Sequence, residues 1–153
     1  MPGAPSSSAE ERYAIARESE IVALQVHARA FAAAAGLGKV ACWEFAIAVS
    51  EATTNMVKYG GGGEVFLRRG DGPRPYVEFE ARDRGRGIDS IDLALVDNVS
   101  EGVDAREASP LRRRGLGLGL GAIQRLTDEV EIQSERGAGT TLRGRKWIPA
   151  PTR

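Results

Sequence analysis

The stretch "RRRGLGLGLGAIQRL" (112–126) constrains the fold more than any other part of the chain. Gly115, Gly117, Gly119 and Gly121 alternate with leucines, three arginines precede them, and an apolar helical pattern begins at Ala122. A dinucleotide turn needs G-x-G-x-x-G directly after a strand, with an acid some way on. Here the spacing is G-x-G-x-G-x-G and an arginine-rich segment stands in front. The phosphate-loop pattern G-x-x-x-x-G-K-[ST] does not occur in the sequence. A flexible tether would not carry leucine at each intervening position. What remains is a glycine-rich loop that runs into a helix N-terminus, where free N–H groups and the positive dipole end favour phosphate.

The rest of the sequence narrows the setting. A chain of 153 residues suits one domain with one core. Lys+Arg 21 balances Asp+Glu 21, so no global basic field argues for nucleic acid. No apolar run approaches bilayer length, which argues against a membrane role. "MPGAPSSSAE" lacks the charged and apolar regions of a signal peptide and reads as a tail. Cys42 has no cysteine partner and His27 is the one histidine, so neither a disulfide nor a structural zinc site is expected. The expected compartment is the cytoplasm.

Periodicity supplies the elements. "RYAIA" (12–16) alternates as a short strand. Ile21, Leu24, Ala28, Phe31, Ala32 and Ala35 follow helical spacing, with Ser19 as the expected N-cap and Gly36 as the stop. A second helix is expected over 39–59, ended by "GGGG" (60–63). Phe45, Val49, Ala52, Met56 and Tyr59 form its apolar stripe, and Glu44, Glu51, Asn55 and Lys58 the polar stripe beside it. Strands at 64–69 and 76–82 flank the turn "GDGPRP". "DSIDLAL" (89–95) reads as a short helix, and the polar segment 97–114 as a mobile loop. A helix after the glycines and strands at 128–135 and 140–147 complete the order β-α-α-β-β-α-β-β. Few parallel crossovers are implied, so the fold class is α+β: an α/β sandwich with helices on one face of a mostly antiparallel sheet. The expected domain is 12–148, with tails at 1–11 and 149–153.

Two further groups carry chemistry. Glu51 and Asn55, four apart on a helix, place a carboxylate beside an amide. Such a pair can hold a hydrated magnesium ion and polarise a nucleophile. It can equally be a solvated helix face. "DRGRG" (83–87) puts Asp83 at a strand end before alternating glycines, which suits either a flat ligand or a tight turn.

In this order and spacing, "EATTN", "DRGRG" and "GLGLGLG" resemble the N, G1 and G2 boxes of the GHKL (Bergerat) ATP-binding superfamily, and the closing "GTTLRGRKW" fits the same likeness. The likeness runs from about residue 12 to residue 148. It is strongest to the small single-domain branch: anti-sigma factor kinases and switch kinases that act on STAS-domain partners in stressosome signalling. The resemblance implies the following roles. Glu51 is the general base toward the acceptor hydroxyl, and Asn55 the magnesium ligand. Asp83 binds the adenine amino group, with Gly85 and Gly87 allowing close approach. Gly115, Gly117, Gly119 and Gly121 wrap the phosphates of ATP. Thr140 or Thr141 supports the adenine contact, and residues 97–114 form the ATP lid. Gly121 stands where some relatives carry proline, and Lys58 and Tyr59 depart from the common box. Arg112, Arg113 and Arg114 can clamp a γ-phosphate, meet an acidic partner or simply be solvated.

The implied function is an ATP-dependent serine/threonine protein kinase, a partner switch that phosphorylates a STAS-domain protein and activates a PP2C-type phosphatase. Two alternatives stay open. One is an anti-sigma factor that sequesters a sigma subunit; the other is a non-catalytic nucleotide-binding docking module.

Overall fold

The structure, a computed structural model, describes residues 9–85 and 116–150, and of 116–119 it describes the backbone alone. Gly87, Gly115, the three arginines 112–114, the segment 97–114 and the short helix expected at 89–95 lie outside the described residues.

The elements are β1 (Glu10–Ile15), α1 (Ser19–Ala35), α2 (Lys39–Gly60), β2 (Gly63–Gly70), β3 (Tyr76–Asp83), α3 (Leu116–Leu126), β4 (Glu129–Glu135) and β5 (Gly139–Trp147). Among the described residues the strands form one antiparallel sheet in the order β1-β2-β3-β5-β4. The expected α+β arrangement and element order are therefore present.

Period-two alternation divides the sheet into two unlike faces. Val65, Leu67, Val77, Phe79, Ala81 and Leu142 point toward the helices and are buried. They meet Leu24 and Ala28 of α1, Phe45, Val49, Ala52 and Met56 of α2, and Leu120 and Ile123 of α3. Phe45 packs edge-on against Phe79 with ring centroids 5.9 Å apart. Truncating such a buried phenylalanine to alanine costs about 3–5 kcal/mol, so this contact ties the middle helix to the middle of the sheet.

The opposite face is charged. One cross-strand row reads Glu10, Arg68, Glu78, Arg145, Glu129 from β1 to β4. The next reads Arg12, Phe66, Glu80, Arg143, Glu131. Arg68 Nη1 and Arg143 Nη2 lie 3.1 and 2.6 Å from Glu80 Oε2, and Arg82 bridges its other oxygen. Arg12, Arg68 and Arg82 all stack on the Phe66 ring. The guanidinium stems thus cover the sheet, and Glu80 is fully buried beneath them. A hollow of about 420 Å³ on this face is lined by Glu78, Glu129, Val130, Glu131, Arg143 and Arg145, whose charges largely pair with one another.

Besides one-residue shifts at the ends of α2 and of the later strands, three boundaries differ from the sequence-based expectation. β1 begins at Glu10 rather than residue 12, because Glu10 and Glu11 pair with Arg68 and Leu67, so these two residues belong to the sheet. Ser19 is the first helical residue of α1 and makes no cap bond; the N-cap position is Glu18. The exposed N–H groups of Ala16 and Arg17 instead donate to Glu20 Oε1 at 3.2 and 3.0 Å. The third difference is α3. It starts at Leu116, so Gly117, Gly119 and Gly121 have helical backbone rather than forming a loop ahead of the helix. Burial explains this: Leu120 and Ile123 are 1% and 0% exposed, and extending the helix backward is how Leu120 reaches the core. Each glycine costs a helix about 1 kcal/mol relative to alanine, so core packing here outweighs local preference.

Gly36 ends α1 as expected. Its φ of 110° is left-handed, and Leu37 N–H donates back to Ala32 O at 3.1 Å, a helix stop that glycine adopts without steric cost.

Candidate functional site at the α2 end of the sheet

The topology gathers the singled-out residues at one end of the molecule. α2 finishes at Gly60 and the chain enters β2 at Gly63, which is in register with Asp83, the last residue of β3. β5 starts at Gly139 on the same edge, with Thr141 opposite Arg82. α3 must begin at this end too. Its last residue, Leu126, accepts a bond from Lys146 Nζ at 2.9 Å, and β4 then starts opposite Arg145, at the far end of the sheet. Lys146 also reaches Glu44, near the start of α2, at 3.6 Å. α3 therefore runs antiparallel to α2. At about 1.5 Å of rise per residue, the first turn of α3 lies level with Glu51 and Asn55.

Asp83 is fixed from two directions. Its Oδ1 accepts a hydrogen bond from Gly85 N–H at 2.9 Å and another from Thr140 N–H at 3.3 Å. Thr140 comes to Asp83 through its backbone; its hydroxyl sits 2.8 Å from Ser134 Oγ. Thr141 faces Arg82 and Gln133 across the strands. Burial raises the pKa of Asp83 above the ordinary aspartate value, and the two N–H donors oppose that rise. With both described bonds on Oδ1, Oδ2 is the oxygen left to accept from an external donor.

Glu51 and Asn55 lie on α2, both half-buried. Among the described residues, Asn55 Nδ2 is buried and has no hydrogen-bond partner. A buried, unsatisfied amide is costly, and here it points to a group that completes it. The two ends of an amide are assigned by their partners. The Asn55 side chain therefore fits a phosphate oxygen as it stands, or presents its oxygen to magnesium when turned over. Among the described residues no cluster of three or more His, Cys, Asp or Glu side chains could hold a metal by itself. A magnesium ion at Asn55 would accordingly depend on ligands that the nucleotide brings.

The described part of the glycine stretch joins this site as helix: Gly117, Gly119 and Gly121 occupy the first turns of α3, and Gly121 is buried. The N–H groups that have no partner within the helix are those of its first turn, beginning at Leu116. Sequence reasoning missed a further participant. Gly60, at the end of α2, lies directly against the Asp83 carboxyl group, and the only sequence signal is its place in "YGGGG" (59–63).

A carboxylate braced at a strand end, a helix carrying Glu51 and Asn55, and a glycine-rich helix start thus lie together on one end of a helix-covered antiparallel sheet. The family model described as histidine kinase-like ATPase domain matches residues 15–146, and the chain belongs to that family. It is 30% identical over 135 residues, 88% of its length, to the serine/threonine-protein kinase RsbT of Bacillus subtilis (strain 168), and covers 93% of that protein. It is also 30% identical over 104 residues to the anti-sigma F factor of Heyndrickxia coagulans, covering 65% of each chain. Among solved structures, the histidine kinase domain of the Erythrobacter litoralis EL346 blue-light activated kinase matches with a TM-score of 0.47 and 19% identity, over 84% of this chain and 60% of that one. No described helix is long and apolar enough to cross a membrane.

Proposed function

We propose that the protein is an ATP-dependent serine/threonine protein kinase that acts as a partner switch on a STAS-domain protein. The observation that carries this reading is the braced Asp83 carboxylate at the same end of the sheet as Glu51, Asn55 and the start of α3. The likeness to RsbT, over nearly the whole of that kinase, supports it.

In this reading Asp83 Oδ2 accepts from the exocyclic amine of adenine. The first turn of α3 turns its free N–H groups toward the phosphates. Asn55 would hold magnesium, which when bound would supply charge neutralisation. Phosphoryl transfer depends mainly on such positioning and neutralisation. Glu51 takes the proton from a serine or threonine hydroxyl of the partner as its oxygen bonds to the γ-phosphorus. The bond from that phosphorus to the bridging oxygen breaks, and ADP leaves. Because the acceptor belongs to another protein, the Glu51 side must stay open to docking, and turnover without the partner is slow. In a signalling circuit the kinase then activates a PP2C-type phosphatase once released from its scaffold.

The test is transfer of labelled γ-phosphate to a purified STAS-domain protein, with its serine→alanine form as control. Absence of transfer to every such acceptor, with ATP binding intact, would reduce the protein to a nucleotide-binding docking module. The likeness to anti-sigma F factors favours a second reading, an anti-sigma factor that sequesters a sigma subunit. Pull-down with sigma subunits against pull-down with a PP2C-type phosphatase separates the two.

A further inference from the structure

Gly60 poses a question that its own backbone does not answer. It is the last residue of α2, and its φ is not among the positive ones. Any residue could adopt this conformation, and alanine would favour the helix. What excludes a side chain is the neighbour. A Cβ built on Gly60 would fall 2.7 Å from Asp83 Cβ and 2.8 Å from Asp83 Oδ1, and nearer still to Asp83 Cγ. A Cβ on Gly85 would in turn lie 2.5 Å from Gly60 Cα and 3.1 Å from Tyr59 O. Gly139 and Gly63 close the collar: a Cβ on either would run into the backbone oxygen of Asp83 or Arg82. Gly60 and Gly85 thus let the end of α2 and the turn after β3 close on the Asp83 carboxylate, while Gly63 and Gly139 let the starts of β2 and β5 pack against the backbone of Arg82 and Asp83.

We infer that Gly60 is a positioning residue for Asp83 and, through it, a determinant of base selectivity. This rests on the proposed role of Asp83 at the adenine amine. The bare end of α2 is the surface against which the carboxylate lies while Gly85 and Thr140 hold Oδ1. A methyl at residue 60 displaces the carboxylate, and Gly85 with it, so Oδ2 no longer meets the amine. A nucleotide with a carbonyl oxygen in place of that amine has no donor at that position, so it forgoes no such bond when the carboxylate shifts.

The experiment measures ATP and ITP affinity by calorimetry for wild type, Gly60→Ala, Asp83→Asn and Gly38→Ala, whose added Cβ meets nothing within 4 Å. Wild type and Gly38→Ala should share one ATP:ITP preference. In Gly60→Ala that preference should fall about tenfold, the worth of one well-placed hydrogen bond, through ATP rather than ITP. Loss of selectivity in Asp83→Asn but not in Gly60→Ala overturns the inference. Full selectivity in both overturns the adenine reading on which it rests. Should Gly60→Ala fold poorly, Asp83→Gly in the same chain removes all three clashing atoms. Stability must then return to that of Asp83→Gly alone, and failure to return also overturns the inference.

Discussion

Asp83 and Thr140, 57 residues apart in sequence, meet through a bond from the Thr140 N–H to Asp83 Oδ1 at 3.3 Å. The bond joins the end of β3 to the start of β5 and fixes one oxygen of a carboxylate whose pKa is raised by burial. The sign of that shift governs pH behaviour. Folding favours the protonated form of Asp83, so this group contributes stability at low pH, and that contribution is lost as pH rises from the ordinary value of 3.8 through the folded value. Nucleotide binding runs the opposite way, because the proposed contact needs an accepting carboxylate. ATP affinity, measured by calorimetry against pH, should fall on acidification before an ordinary aspartate would protonate. Asp83→Asn should bind ATP weakly at every pH and show no such step.

Glu80 has the opposite shift. Hydrogen bonds and charge from Arg143 and Arg68 hold its carboxyl below the usual 4.5 despite the cost of burial. Its stabilisation is present above 4.5 and is lost as pH falls through the depressed folded value. Glu80→Ala should strip three arginines of their shared partner and destabilise the fold by about 3 kcal/mol, read as a lower urea midpoint at neutral pH. An unchanged midpoint would mean that the arginines re-pair with Glu78 and Glu131 at no cost.

Among the described residues, Asn55 carries a buried amide nitrogen with no hydrogen-bond partner. Asn55→Ala removes both that buried polar atom and the proposed magnesium ligand. Stability without nucleotide should hold or rise slightly, while affinity for Mg-ATP should fall by about tenfold or more. Thermal melts with and without Mg-ATP read both effects at once. Equal nucleotide-dependent shifts in wild type and variant would remove Asn55 from the site.

Much of this arrangement was legible in the sequence because it depends on local periodicity. Phe45, Val49, Ala52 and Met56 of the α2 stripe are buried as their spacing predicts, while Tyr59 at its end is only half-buried, and "GDGPRP" does connect two paired strands. What escaped depends on partners distant in the chain. Glu78 and Glu80 alternate outward in "YVEFEAR" and should face water by pattern alone. They are buried because Arg68, Arg143 and Arg145 reach over them from neighbouring strands. The glycines of α3 look like loop residues until Leu120 is placed in the core. Gly60 looks like one of four glycines in a turn until Asp83 is placed beside it.

Glu51 tests the account most directly. Glu51→Ala should bind ATP as the wild type does, yet transfer γ-phosphate to a STAS-domain serine about 100- to 10,000-fold more slowly, the range for loss of a general base. The measurement is single-turnover transfer from γ-labelled ATP at saturating acceptor, beside calorimetric ATP binding of the same protein. Undiminished transfer by Glu51→Ala would contradict the account.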